Sequence, residues 1–291
     1  LTEFEDPWRW LHSQYFRSVR DAAPFGNEMF ENREALWRPV PSLTHIVNNT
    51  LHELPEFAEM GQDSRRRINL HRLFLITDGG LGKSISTQRL TFLFGREQTR
   101  KPAFWFEIGD LDLRAKNADL FLLEDLADRM MVENDQLPDR RAVLRMLDHR
   151  RRSGQIVLIF DGLDQAGSKV AILKTILNSP LWSRCRMIVA GRPHSLATNR
   201  PLFENDFWHF IQLDEFDETQ QKRALGRIDG KQWRRDSLKP ETYPLLTVPR
   251  VLDYVRRVPV DELLKIETAA EIYYRAIRHM LIEGFNGSVD A

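Results

Sequence analysis

The residues best suited to chemistry lie together in TDGGLGKS, residues 77–84, between an apolar run and a helical pattern. Glycines let a loop wrap around phosphates with its N–H groups pointing inward, and the next helix adds the positive end of its dipole. A lysine supplies charge for the terminal phosphates, and a hydroxyl can bind Mg2+. We therefore predict that Lys83 contacts phosphate, that Ser84 binds Mg2+, and that the flanking residues line the same site: Asp78, Gly79, Gly80, Leu81, Gly82 and Ile85.

This loop departs from the usual pattern at one position. The pattern is GxxxxGK[ST], and Thr77 stands where the first glycine belongs. The alternative is a glycine-rich surface turn that happens to precede a lysine. The apolar run before the loop and the helical pattern after it favour the phosphate-binding interpretation.

A second group of polar residues, DGLDQ at residues 161–165, follows the apolar run IVLIF. An aspartate at the C-terminal tip of a buried parallel strand faces the ligand crevice of an open α/β sheet, where it can hold Mg2+. We predict this role for Asp161, and we predict that Asp164 positions or activates the attacking water. The alternative for either aspartate is a helix N-cap. Gln165 keeps a donor and an acceptor, but it cannot act as a base at neutral pH.

A third position of interest is Arg192, just past the apolar run RMIVA. The permanent charge and forked donors of arginine suit the oxygens of a γ-phosphate. A plain surface charge is the alternative. Taken in order with GGLGKS and DGLDQ, however, this arginine completes a predicted catalytic group of Asp161, Asp164 and Arg192.

These residues need a scaffold, and the pattern of apolar runs predicts one. Strand-like runs alternate with helical patterns, which indicates a parallel sheet covered on both faces. The runs are LFLIT (73–77), AFWFEI (103–108), IVLIF (156–160), RMIVA (186–190) and WHFIQL (208–213). Helical patterns lie at 84–95, 119–132, 139–152 and 167–178.

After residue 214 the strand signals stop, and residues 217–291 are predicted to form four or five helices broken at GRIDGK and at prolines. We therefore predict three regions. Residues 1–67 form an N-terminal helical or extended segment, residues 68–215 the nucleotide-binding domain, and residues 216–291 a small all-helical domain.

Composition excludes several classes of protein. The 291-residue chain has 42 basic and 42 acidic side chains, and this balance argues against a nucleic-acid partner. A single cysteine excludes an intrachain disulfide framework and predicts a reducing, cytoplasmic compartment. No apolar run approaches the roughly 20 residues that span a bilayer, so we expect no membrane insertion. The chain begins at Leu1 rather than Met, so we expect a piece of a longer protein.

With these motifs in order, the sequence resembles the NACHT NTPases of the STAND division of AAA+-like ATPases. The resemblance rests on GGLGKS, on IVLIFDGLDQ where the family writes DGLDE, and on AGRP where it typically has TSRP. It continues through FIQLDEFDETQQKRAL, YPLLTVPRVLDYV and TAAEIYYRAI, the last similar to the TxxELY helix of the family. The resemblance covers roughly residues 68–282.

The resemblance implies a P-loop NTPase with a parallel five-stranded sheet in three αβα layers, followed by a small all-helical domain. It implies a switch in which ADP holds a closed monomer and ATP accompanies a homo-oligomer that joins effector and sensor domains outside this chain, usually in immune or antiviral sensing. Pro249, or less readily Pro244, takes the position of the helical-domain proline beside adenine, and Arg192 takes the sensor position. Gln165 replaces the usual glutamate, so we expect slow ATP hydrolysis.

Two other functions compete with this one. A DNA-linked AAA+ ATPase, such as a regulator of transposition or helicase loading, would show DNA-stimulated turnover. The absence of an arginine-finger motif and the presence of TAAEIYYRAI argue against it. A non-hydrolysing scaffold is the other alternative, and the intact Lys83, Ser84 and Asp161 argue against one that binds nothing.

Overall fold

The structure is a computed structural model. It describes residues 71–95, 102–111, 117–132, 139–204, 208–213, 215–263, 265–268 and 270–278. The predicted N-terminal segment, residues 1–67, lies outside these residues. The described part divides into two compact units, one of residues 71–78 and 83–213 and another of residues 79–82 and those from 215 onward.

The first unit is built on a five-stranded sheet in which every pair of neighbouring strands is parallel. The strands are β1 (Arg72–Ile76), β2 (Ala103–Glu107), β3 (Val157–Asp161), β4 (Arg186–Gly191) and β5 (Trp208–Gln212). Their spatial order is β2-β3-β4-β1-β5, so β4 separates β1 from β3. This confirms the predicted parallel five-stranded sheet.

Helices cover both faces of this sheet. On one face Trp105 Nε1 of β2 donates to Thr87 Oγ1 at 3.0 Å, which places α1 (Lys83–Gly95) there. On the other face Phe106 and Phe160 stack at 5.4 Å inside a buried apolar cluster. That cluster takes in side chains of α2 (Ala118–Val132), α3 (Arg140–Arg152) and α4 (Val170–Leu177). Apolar strands buried on both faces explain why these runs alternate so little.

The arginines in the last turn of α3 form ion pairs and an aromatic contact. Arg151 pairs with Asp148 at 2.6 Å and lies over the ring of Trp182, and Arg152 pairs with the same carboxylate at 2.7 Å. Cys185 is fully buried beside this end, and burial raises the pKa of its thiol to about 11. These arginines therefore form local ion pairs within the first unit.

The second unit is largely helical, as predicted. Its α6 (Glu218–Leu225) follows α5 (Pro193–Thr198) of the first unit in the chain and begins at a capping box between Asp217 and Gln220. A 3-10 segment, Pro240–Thr247, leads into α7 (Pro249–Arg257) and α8 (Val260–Leu263), and residues 270–278 are helical.

One element of this unit did not follow from the sequence pattern. The pattern predicts only a helix break at GRIDGK, but this segment supplies β6 (Arg227–Ile228) and the turn of an antiparallel hairpin whose second strand is β7 (Gln232–Trp233). Asp229 and Gly230 both adopt positive φ, at 47° and 71°, and Asp-Gly is a favoured pair for such turns. No helix in the described part of the chain has the length and apolar character needed to span a bilayer.

Candidate functional site

The loop after β1 has the backbone that its glycines predict. Gly80 and Gly82 each have φ of +86°, in the left-handed region where a side chain is strained. Thr77 is buried, and its N–H donates to Gly191 O at 3.2 Å, which ties the loop start to the end of β4. A hydrogen-bonded threonine therefore occupies the position of the first motif glycine.

Most of the predicted phosphate-binding residues lie along this loop and the first turn of α1. Asp78, Gly79 and Ser84 are exposed, whereas Leu81 and Ile85 are buried. Lys83 is the first residue of α1, and Ser84 is the second. The polar side chains of Asp78 and Ser84 are therefore open to solvent at the two ends of the loop.

The predicted charged residues of the first unit come together around Lys83. Its Nζ lies 2.5 Å from Asp161 Oδ1 and 3.7 Å from Asp164 Oδ1. Arg192 Nε lies 3.0 Å from Asp164 Oδ2. We call these four residues, Lys83, Asp161, Asp164 and Arg192, the charge cluster.

Burial differs strongly within the charge cluster. The side chains of Asp161 and Asp164 are 2% and 5% exposed, and that of Arg192 is 48% exposed. A buried carboxylate needs a nearby cation, because burial of an unpaired charge is costly. Asp164 Oδ1 is buried and has no hydrogen-bond partner among the described residues. The cluster thus has an acceptor available for a small donor such as water.

The residues fit magnesium and a polyphosphate. Mg2+ is usually held by one or two carboxylates together with substrate phosphates, rather than by a full protein cage. Within the described ranges, no group of three or more His, Cys, Asp or Glu residues could hold a metal alone. Asp161 and the Ser84 hydroxyl are the donors of the right kind beside a glycine loop, so they are the residues that would share Mg2+ with phosphate.

Sequence reasoning missed Glu107, the last residue of β2. It is the register partner of Asp161 on the neighbouring strand. Burial raises the pKa of the Glu107 carboxyl above its ordinary value, and the charges of Asp110 and Asp161 raise it further. The positive charge of Lys83 acts in the opposite direction. The run AFWFEI contains this glutamate as its fifth residue, but only the strand order shows that it adjoins Asp161.

Pro249 lies in the second unit, as the first residue of α7 after the N-cap Val248. In the same unit, Arg250 N donates to Gly80 O at 3.2 Å. A Cβ atom on Gly80 would lie 2.9 Å from Val248 Cγ1, closer than real Cβ contacts come. The start of α7 and the loop glycines are therefore packed together, and Pro249 is buried there.

A family model for the NACHT domain matches residues 71–228, more than half of the chain. This chain belongs to the NACHT family. The match runs from β1 to β6 and so includes the whole five-stranded sheet, the glycine-containing loop of residues 77–84 and the charge cluster. It confirms the resemblance described above and makes the chain a P-loop NTPase by family and fold.

Comparison with curated proteins gives no match for this NACHT chain. Among solved structures, that of PCH-2 from C. elegans is similar, with 13% sequence identity and a TM-score of 0.37. The alignment covers 92% of this chain and 73% of that one.

Proposed function

We propose that this NACHT chain is the ATP- and ADP-binding switch core of a signalling NTPase, with slow hydrolysis of ATP. The observation that carries the proposal is the charge cluster. A magnesium nucleotide is typically bound by a lysine on its phosphates, an aspartate on the metal and an arginine near the γ-phosphate. The cluster offers one of each: Lys83 at the start of α1, Asp161 at the end of β3 and Arg192 just after β4.

Binding would exchange partners within the charge cluster. Lys83 Nζ is now 2.5 Å from Asp161, so it must turn from that carboxylate to reach β- and γ-phosphates. Asp161 and Ser84 would then be the residues that hold Mg2+. When bound, Mg2+ supplies charge neutralisation on the phosphate oxygens. The Arg192 side chain, about half exposed, is able to turn from Asp164 toward a γ-phosphate.

Hydrolysis is proposed to be slow because this site lacks the usual glutamate. Asp164 can orient water through Oδ1, which has no hydrogen-bond partner among the described residues. Gln165 is a neutral amide, so it cannot accept a proton from water. A Gln165→Glu change should raise the hydrolysis rate if residue 165 faces the γ-phosphate. Turnover at tens per second in the unaltered chain would contradict this account.

The preference for adenine is proposed from family membership and from Pro249. The proline ring begins α7 close to the loop glycines of the second unit, where it would pack beside the base. The sequence has no NKxD-type motif that reads guanine. ATP-dependent homo-oligomerisation, effector and sensor domains elsewhere in a longer protein, and a role in immune or antiviral sensing are supported by family membership alone.

Isothermal titration calorimetry with ADP, ATP and GTP, each with and without Mg2+, tests the proposal. We expect ADP and ATP to bind more tightly than GTP, and we expect EDTA to weaken ATP binding. Tighter GTP than ATP binding would contradict the base preference. A well-folded chain that binds no adenine nucleotide would contradict the switch itself.

A further inference from the structure

Glu107 and Asp161 share one face of the sheet. They are register partners on adjacent parallel strands, as are Phe106 and Phe160 one position earlier. The two phenylalanines stack on one face, so the next residues point to the opposite face, because side chains alternate along a strand. That opposite face is the one that α1 covers, and its first residue Lys83 already contacts Asp161. Glu107 therefore points toward the charge cluster.

The turns beyond these two strands hold Glu107 beside Gln165. A Cβ atom on Gly162 would lie 3.8 Å from both Gln165 Oε1 and Glu107 Cγ. A Cβ atom on Gly109 would lie 3.6 Å from the backbone oxygen of Gln165, so the turn after β2 packs on the turn after β3. Glu107 and Gln165 thus flank the same glycine, which has φ of +82° and brings the chain past them without a side chain.

The three carboxylates near Lys83 differ in the salt bridges that they make. Asp161 is held by Lys83, and Asp164 is held by Lys83 and Arg192. Glu107 makes no salt bridge and no side-chain hydrogen bond within the described part of the chain, and it is only partly buried. Beside it, at the position where a base is expected, Gln165 carries an uncharged amide.

We propose that Glu107 is the catalytic base of the ATPase reaction and replaces the glutamate that this chain lacks at position 165. This inference rests on the proposed nucleotide-binding function. Glu107 accepts a hydrogen bond from the attacking water. As the water oxygen bonds to the γ-phosphorus, one of its O–H bonds breaks and the proton passes to the Glu107 carboxylate. The P–O bond to the β-phosphate breaks, its electron pair stays on ADP, and Glu107 later returns the proton to solvent.

Glu107→Gln tests this role, because it keeps the shape and hydrogen bonding of the side chain but removes the base. The matched control is Asp110→Asn, which removes an exposed carboxylate from the adjoining turn. We expect Glu107→Gln to slow single-turnover ATP hydrolysis by about a hundredfold, the lower end for loss of a general base. Asp110→Asn should leave the rate within about twofold, far below the range of a lost base.

A second readout does not depend on turnover. Aluminium fluoride with ADP mimics the transferring phosphoryl group with its in-line water. Glu107→Gln should weaken binding of ADP with aluminium fluoride by about tenfold, and leave ADP alone unchanged, because only interactions made in the transition state are lost. A merely structural role would weaken both ligands or lower the midpoint of thermal unfolding.

The double change Glu107→Gln with Gln165→Glu keeps the test decisive if the single variant folds poorly, because it preserves the local charge. It should recover much of the lost rate, since a carboxylate again lies beside Gly162. Hydrolysis by Glu107→Gln at the original rate would overturn the role of Glu107, as would an unaltered chain that binds ATP without hydrolysing it. Failure of the unaltered chain to bind ADP would instead overturn the proposed function itself.

Discussion

The charge cluster of the first unit and the loop–helix contact of the second unit are held in different ways. In the first, side chains of Lys83, Asp161 and Asp164 meet through ion pairs with little exposure to solvent. In the second, the backbone of Gly80 accepts a hydrogen bond from Arg250, and the glycine leaves no room for a side chain against Val248.

Because of this difference, the ion pairs of the charge cluster can rearrange, whereas the close contact at Gly80 cannot. Ion pairs can exchange partners when a phosphate or a magnesium ion arrives, because each charge finds a new counter-charge. A close backbone contact has no such alternative, because any added atom must displace its neighbour. Changes in the charge cluster should therefore alter ligand binding, whereas changes at Gly80 should alter folding.

The largest expected effect on binding comes from Lys83→Ala. It removes the only predicted lysine contact with phosphate and also leaves Asp161 buried without its closest cation. We expect calorimetry to show ADP and ATP binding weakened by about 2–4 kcal/mol, the range for loss of a buried set of charge-assisted contacts. Lys174→Ala, at an exposed position of α4, is the control and should bind normally. Equal affinities for the two variants would contradict the role of Lys83.

The backbone contact is tested by Gly80→Ala against Gly230→Ala. Both glycines have positive φ, so each alanine should cost roughly 1–2 kcal/mol of unfolding free energy. Only at Gly80 would the new Cβ also meet a neighbour, Val248 Cγ1 at 2.9 Å, whereas Gly230 has nothing within 4 Å. Urea unfolding should therefore show an additional cost of about 1 kcal/mol for Gly80→Ala, which Val248→Ala partly relieves. Equal losses at the two glycines would show that the contact is unimportant.

Arg192→Ala should have a smaller effect that depends on the ligand. Its side chain is 48% exposed, and only ATP offers a γ-phosphate, so we expect ATP to lose about 1 kcal/mol and ADP almost nothing. Arg200→Ala, with a side chain 78% exposed, is the control and should affect neither ligand. If ADP and ATP weaken equally in Arg192→Ala, the sensor assignment fails and Arg192 is a structural charge.

Pro249→Ala should have the smallest effect and should not distinguish the ligands. Loss of the ring would remove a contact with adenine, which ADP and ATP share, so both should weaken by less than about 1 kcal/mol, the cost of a little apolar burial. Limited proteolysis should also cut faster between residues 214 and 240. Pro259→Ala, at an exposed proline before α8, is the control. Unchanged proteolysis and unchanged affinities would remove Pro249 from the site.

Much of the fold could be predicted because buried parallel strands are continuous apolar runs. Both ends of each predicted run lie within one residue of the ends of the observed strand. The strand β3 ends one residue after its run, because Asp161 still pairs with Glu107. The hairpin at GRIDGK was missed, because two-residue strands are too short to show an alternating pattern.

The site was predicted less completely, because the local sequence pattern does not determine the order of the strands in the sheet. The C-terminal ends of parallel strands lie together, so the sequence alone could place Asp161, Arg192 and the loop that leads to Lys83 at one edge of the sheet. Glu107 lies next to Asp161 because β2 pairs with β3 at the edge of the sheet. This pairing joins strands that are far apart in sequence, so the local pattern could not predict it. The contact between Gly80 and Arg250 joins residues far apart in sequence and could not be predicted for the same reason.

The burial of Cys185 has a practical consequence for spectroscopy. It is the chain's one cysteine, and with a pKa of about 11 only about one thiol in a thousand is ionised at pH 8. Maleimide reagents should therefore not react with the Cys185 thiol while the first unit is folded. A cysteine introduced at the exposed Lys231 of the hairpin would accept a single fluorophore, and slow labelling of Cys185 would time the opening of the sheet around it.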